Sequence, residues 1–230
     1  MATILITGTN RGLGLEFATQ CLERGDRVLA TCRDLAAAEA LRSLKSKHEG
    51  LDIRQLDVAS HQSMQEFAQG LEGVAIDIFI NNAGVYGPPS VKFGDIDGQT
   101  WASVLQVNSI APLILTQLIM PNLREGNDKK LLYLSSKMGS IKDNGGGGSY
   151  IYRSSKTALN SAVKSLAIDL DGEGFKVALL HPGWVLTDMG GPNALIDTKT
   201  SVTGMMQLID KLDKQLSGNF FNYDGSIIPW

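Results

Sequence analysis

Residues Thr3-Ile4-Leu5-Ile6-Thr7 form a short, β-branched, apolar run, and Gly8-Thr9-Asn10-Arg11-Gly12-Leu13-Gly14 follows at once. The run predicts a strand buried on both faces, and such strands belong to parallel sheets covered by helices. Beyond it, Leu15, Phe17, Ala18, Cys21 and Leu22 recur at helical spacing, and Gly25 supplies a stop. Strand, glycine turn and helix in this order constrain the chain more than any other stretch. Glycines let a backbone approach a pyrophosphate, and a helix N-terminus offers unpaired N–H groups and the positive end of a dipole. The spacing is Gly-x-x-x-Gly-x-Gly, which departs from the Gly-x-Gly-x-x-Gly dinucleotide fingerprint.

The same rhythm repeats. Further strands are expected at 28–32, 51–56, 76–80, 130–134, 176–180 and 218–222. Helices are expected at 35–41, 60–71, 100–124, from Tyr152 to about 170, and 201–216. The alternation predicts an α/β fold: one doubly wound, mainly parallel seven-stranded sheet with helices on both faces, filling a single domain over residues 1–230. The segment 100–124 is apolar nearly all round, which predicts burial on both sides and a homodimer or homotetramer formed through it. A net charge of -3 without a long basic run argues against nucleic acid as a partner. No apolar run reaches the length of a membrane span, and Met1-Ala2 leads straight into the first strand, so the expected setting is the cytoplasm. Cys21 and Cys32 read as small buried residues of a reducing compartment, and the 3 histidines give no metal spacing.

The polar candidates gather at the carboxyl ends of the expected strands, where open parallel sheets bind ligands. Arg33 follows the second strand; with Arg11 it could clamp a 2′-phosphate, which favours NADP(H) over NAD. Asp34 is the rival, an acid for ribose hydroxyls, but it is better placed as N-cap of the next helix. Asp57 and Val58 end the third strand. Asn81-Asn82-Ala83-Gly84 end the fourth and are small enough to pack on a flat ring. Asn108 is a polar exception inside the apolar 100–124 segment. Ser135-Ser136 end the fifth strand, and four glycines, 145–148, confer backbone freedom on the loop before Tyr152. Tyr152 and Lys156, four apart on a helix, share a face. A unit charge at about 4 Å in an effective dielectric of about 20 is worth roughly 4 kcal/mol, enough to bring a phenol toward neutral pH. After the sixth strand comes His181-Pro182-Gly183-Trp184-Val185-Leu186-Thr187-Asp188-Met189. His181 reads as structural. Tyr86, Met138, Tyr150, Trp184 and Met189 are expected to line an apolar pocket for a small-molecule substrate.

Taken together, the motifs resemble the short-chain dehydrogenase/reductase superfamily over essentially the whole length. They are Thr7-Gly8-x-x-x-Gly12-x-Gly14, Asp57, Asn81-Asn82-Ala83-Gly84, Asn108, Ser136, Tyr152-x-x-x-Lys156 and Pro182-Gly183. The Asn10-to-Glu16 form of the turn, Gly183 to Pro192, and the ending Tyr223-Asp224-Gly225-x-x-Ile228-Pro229-Trp230 look like its sniffer-type carbonyl reductases and C-factor proteins. The resemblance implies a Rossmann-type fold and NADPH-dependent reduction of a ketone or aldehyde. It implies Asn108, Ser136, Tyr152 and Lys156 as catalytic residues. Gly8, Asn10, Arg11, Gly12, Leu13, Gly14, Arg33, Asp57, Val58, Asn82, Ala83, Gly84, Tyr152, Lys156, Pro182, Gly183, Val185 and Thr187 would hold the cofactor. Asn108, in the family, fixes a water on the proton path to Lys156. Only Tyr152, not Tyr150, has a lysine at +4. Ser136 rather than Ser135 fits Ser-x-x-Gly through Gly139, although sixteen residues separate it from Tyr152. Cofactor binding with little turnover, as in a signalling protein, is the alternative. A serine hydrolase is a second rival, but the Gly-x-Ser-x-Gly elbow is absent and His48 and His61 fall on expected surface helices.

Overall fold

Seven apolar runs became strands: β1 (Thr3–Thr7), β2 (Arg27–Cys32), β3 (Leu51–Gln55), β4 (Ile78–Asn81), β5 (Lys130–Leu134), β6 (Lys176–His181) and β7 (Asn219–Asn222). In the computed structural model, which describes residues 1–89 and 91–230, they form one sheet in the order β3-β2-β1-β4-β5-β6-β7. Every ladder is parallel, so the expected mainly parallel sheet is wholly so. The strand order reverses between β1 and β4, and the loops leaving those two strands open the crevice of the switch point.

The helices are α1 (Gly12–Glu23), α2 (Glu39–Lys45), α3 (His61–Gln69), α4 (Gly98–Leu105), α5 (Ala111–Leu118), α6 (Met120–Arg124), α7 (Tyr150–Asp169) and α8 (Thr198–Lys211). Alternation along the strands divides the core in two. Ile4, Ile6, Val28 and Ala30 meet Phe17, Cys21, Met205 and Ile209 on the face of α1, α2 and α8. Leu5, Leu29, Phe79 and Tyr133 meet Leu115, Leu159 and Val163 on the face of α3, α5, α6 and α7. Burying a side chain such as Leu159 or Phe79 fully stabilises the fold by about 1.5–3 kcal/mol.

Three expectations on helices need correction. The single helix over 100–124 is interrupted by a π turn at Gln106–Ile110 and again at Ile119, where φ is -94° and ψ 7°. The causes are Pro112 and Pro121, which have no N–H to return to the carbonyl four residues back. For Pro112 that carbonyl belongs to Asn108. The helix expected from residue 35 begins at Glu39 instead. Asp34 does not cap it; its Oδ1 accepts from Ala36 N at 2.8 Å, and Arg42 donates to the Leu35 and Ala36 carbonyls. That turn overrides the helix propensity of the alanines. The last helix starts early, at the Asp197 cap, and stops at Lys211, because Asp213 accepts from Gln215 N and Leu216 N and folds a turn of its own. Residues 227–230 lie along β7: Ile228 N donates to Phe220 O, and the Trp230 ring stacks on Phe220.

Candidate active site

The glycine spacing follows from close packing between the turn and the end of β4. Gly8 and Gly12 have φ of 71° and 56°, a region that favours glycine. A Cβ on Gly14 would lie 2.2 Å from the Gly8 carbonyl oxygen, and one on Gly8 would lie 3.0 Å from Ala83 Cα. Asn82 and Thr7 tie these parts together. Thr7 Oγ1 accepts from Asn82 N and Ala83 N at 3.0 Å each, while Asn82 Nδ2 donates to the Thr7 and Gly8 carbonyls at 2.9 Å. Arg11 occupies the cap of α1 without a side-chain hydrogen bond to it, so the first N–H groups of α1 stay open toward the crevice.

The crevice has a volume of about 810 Å³. Apart from Gly183 and Val185, every residue expected at a cofactor lines it, and so does Met189. Gly183 packs instead against Ile196 and Tyr223, and Val185 is buried behind the loop through a bridge to Ile196. Arg33 is exposed at one end. Arg11 is ion-paired with Asp188 across the mouth, a contact between loops far apart in sequence that no sequence signal marked.

Tyr152 and Lys156 lie at the inner end of the crevice, both almost wholly buried. Lys156 Nζ donates to the Leu134 carbonyl at 2.9 Å and sits 5.9 Å from the Tyr152 ring centroid. The expected lowering of the phenol by the ammonium is therefore not what the free protein shows. Burial pushes the Tyr152 phenol up to about 12, with the Ser136 hydroxyl acting the other way, and burial lowers Lys156 to about 8. Desolvation outweighs the Coulomb attraction assumed for a shorter, wetter contact. Ser135 and Ser136 separate cleanly. Ser135 Oγ donates to Asn160 Oδ1 at 2.6 Å inside the core, whereas Ser136 stands beside the phenol. Gly139 is required because a Cβ there would come within 2.8 Å of Lys156 Cβ.

Asn108 is buried in the π turn and is not satisfied by its own helix. Its Oδ1 accepts from Val85 N at 2.9 Å, and its Nδ2 donates to Val85 O at 2.7 Å and Ser155 Oγ at 3.0 Å. Of the expected pocket residues, Tyr86 stacks on Tyr152 and its hydroxyl reaches Met138 Sδ at 4.0 Å. Trp184 folds its own loop by donating to Gly190 O. Tyr150 is turned toward Phe93 on the outer side. His181 is held neutral, lowered by burial to about 4.

Known proteins match this arrangement. The family model described as short chain dehydrogenase matches residues 2–195. The chain belongs to the short-chain dehydrogenase family. It is 45% identical over 167 residues to the protein named C-signal of Myxococcus xanthus, covering 73% of this chain and 100% of that one. Among solved structures, the carbonyl reductase Sniffer of D. melanogaster superposes with a TM-score of 0.95 at 35% identity, covering 100% of both chains. NADPH-bound carbonyl reductase from chicken fatty liver gives 0.93 at 32% identity, covering 100% of this chain and 99% of that one. As a short-chain dehydrogenase, the protein is an oxidoreductase of a family that uses NAD(P). Among the described residues, no helix is long and apolar enough to cross a membrane, and no cluster of metal-binding side chains occurs.

The buried lysine gives this site a pH signature. Its folded-state pKa of about 8 lies below the ordinary 10.5. Between those values the unfolded chain binds more protons, so stability rises with pH through that window. Compared with Lys156→Met in urea unfolding, the wild type should gain on the order of 3 kcal/mol from pH 8 to 10.5. A constant difference would mean that the ammonium is not buried.

Proposed function

We propose that this short-chain dehydrogenase reduces a ketone or aldehyde carbonyl to an alcohol with NADP(H), using Tyr152 as general acid, within one catalytic domain over residues 1–230. One observation carries the reading: a buried phenol with a serine hydroxyl beside it and a lysine beneath it, in the same crevice as an uncapped helix N-terminus. The donor set fits the cofactor. The glycine turn, Gly8 to Gly14, and the N–H groups of α1 take the pyrophosphate; Arg33, with Arg11, takes the 2′-phosphate. Asp57 and Val58 meet the adenine, Asn82 to Gly84 back the rings, Pro182 and Thr187 hold the carboxamide end with Gly183 and Val185 in support, and Lys156 holds the nicotinamide ribose. When bound, NADPH supplies the hydride.

A phenol held near 12 is fully protonated at neutral pH, the form a general acid needs. Tyr152 gives that proton to the substrate oxygen as negative charge develops on it, and Ser136 donates a hydrogen bond to the same atom. Lys156 stabilises the phenolate left behind. The Asn108 carbonyl, to which Pro112 has no N–H to give, would hold a water on the path that restores the proton through Lys156.

The similarity to C-signal supports a second reading, a cofactor-binding signalling protein with little turnover. Both cysteines are free and buried, in keeping with a reducing cytoplasm. Ile110 is 48% exposed, and Leu113, Ile114 and Leu118 are partly so, which supports self-association to a homodimer or homotetramer through 100–124.

Incubation with NADPH and a panel of aromatic ketones and dicarbonyls should oxidise the cofactor. Tyr152→Phe should lower kcat by about 10²–10⁴-fold while NADPH still binds; unchanged turnover would remove Tyr152 as the acid, and no oxidation across the panel would favour the signalling reading. Arg33→Ala should weaken NADPH about tenfold or more and NADH little. Equal loss for both would show that Arg33 does not read the 2′-phosphate.

A further inference from the structure

Tyr86 has no role in the chemistry above, yet it makes the tightest ring contact among the described residues. Its ring stacks on Tyr152 with centroids 4.4 Å apart and planes inclined by 28°. Its hydroxyl lies 3.4 Å from the Oγ of Ser149, the residue that precedes α7. The backbone on either side is fixed. Asn108 grips Val85 through both main-chain groups. Gly87 turns with φ 77° so close to α4 that a Cβ would come within 2.9 Å of Val104 Cγ2. The ring is thus delivered by a rigid segment, in the stacked geometry that aromatic pairs favour.

We propose that Tyr86 is a positioning residue of the reduction: stacked on Tyr152 and held at Ser149, it fixes the phenol so that its hydroxyl stays beside Ser136, where the carbonyl oxygen arrives. This rests on the reading of Tyr152 as the acid. A displacement of about 1 Å at a reacting group costs on the order of 100-fold in rate, so a ring free to tilt toward this loop would be a poor acid. The titratable groups facing Tyr152 are Tyr86 from the β4–α4 loop and Lys156 from α7; the β5 turn contributes the neutral Ser136 hydroxyl. Tyr86 adds to burial in keeping the phenol high. That contribution belongs to its hydroxyl, so Tyr86→Phe and Tyr86→Leu alike move the phenol's titration to lower pH.

The test compares Tyr86→Leu, which removes the ring, with Tyr86→Phe, which keeps the stack. In the leucine variant kcat should fall roughly tenfold, with the ketone KM changed less than about threefold, and the alkaline limb of the kcat profile should move to lower pH. The phenylalanine variant should recover kcat to within about threefold. A rise in KM with kcat kept would make Tyr86 a wall of the substrate pocket only, and equal losses in both variants would assign the effect to its hydroxyl; either overturns the proposal. A readout without turnover separates this from the functional reading. In protein labelled with ¹³C on the tyrosine rings, the Tyr152 signal, assigned by its loss in Tyr152→Phe, should broaden at neutral pH in Tyr86→Leu, as the ring is freed to move, and stay as sharp as in wild type in Tyr86→Phe. No change would overturn the proposal, whether or not any carbonyl is reduced.

Discussion

A lysine ammonium carried into the protein interior, with the Leu134 carbonyl as its hydrogen-bond acceptor, is the interaction on which the rest of the site depends. Burying a charge this way is costly unless the surroundings are built for it. The surroundings are built by two glycines. A Cβ on Gly84 would crowd Asn108 Oδ1 at 3.2 Å, and a Cβ on Gly139 would strike the lysine's own Cβ at 2.8 Å. With those positions bare, the β4 loop and the turn after β5 close on α7 and bring Ser136, Tyr152 and Lys156 to one place. The same closure removes water from the phenol. High phenol and low ammonium pKa values are two results of one desolvation.

The second constraint is the π turn. Pro112 disturbs the hydrogen bonding of a helix that would otherwise run on, and the turn presents Asn108 inward. Its side chain joins the β4 loop at Val85 to α7 at Ser155, and Ser109 Oγ adds a bond to the Ser155 carbonyl at 2.7 Å. A defect in one helix thereby fastens the loop after β4 to the helix that carries Tyr152.

Much of this was legible in the residues. β1 and β5 fall at their expected bounds because each is a continuous apolar run with one reading. The crevice residues were found because a parallel sheet presents all its loops at one edge. Three features were not legible. The sign of the Tyr152 shift depends on desolvation by residues from the whole fold, whereas a pair of side chains one turn apart shows only their attraction. The breaks in 100–124 were signalled by Pro112 and Pro121, but continuous hydrophobicity masked them. The start of α2 falls four residues late because an Asp34 turn and an Arg42 side chain outweigh the helix propensity of residues 35–38, and an aspartate before such a run reads equally as a helix cap or as a turn of its own.

The central claim is that this crevice performs reduction rather than only holding a cofactor. Turnover of a prochiral aryl ketone with NADPH carrying deuterium at the transferable C4 position tests it most directly. A carbonyl reductase places one deuterium on the carbinol carbon of the alcohol, from one face of the nicotinamide and largely in one enantiomer. An alcohol without the label, or no alcohol from any ketone tried, would contradict it.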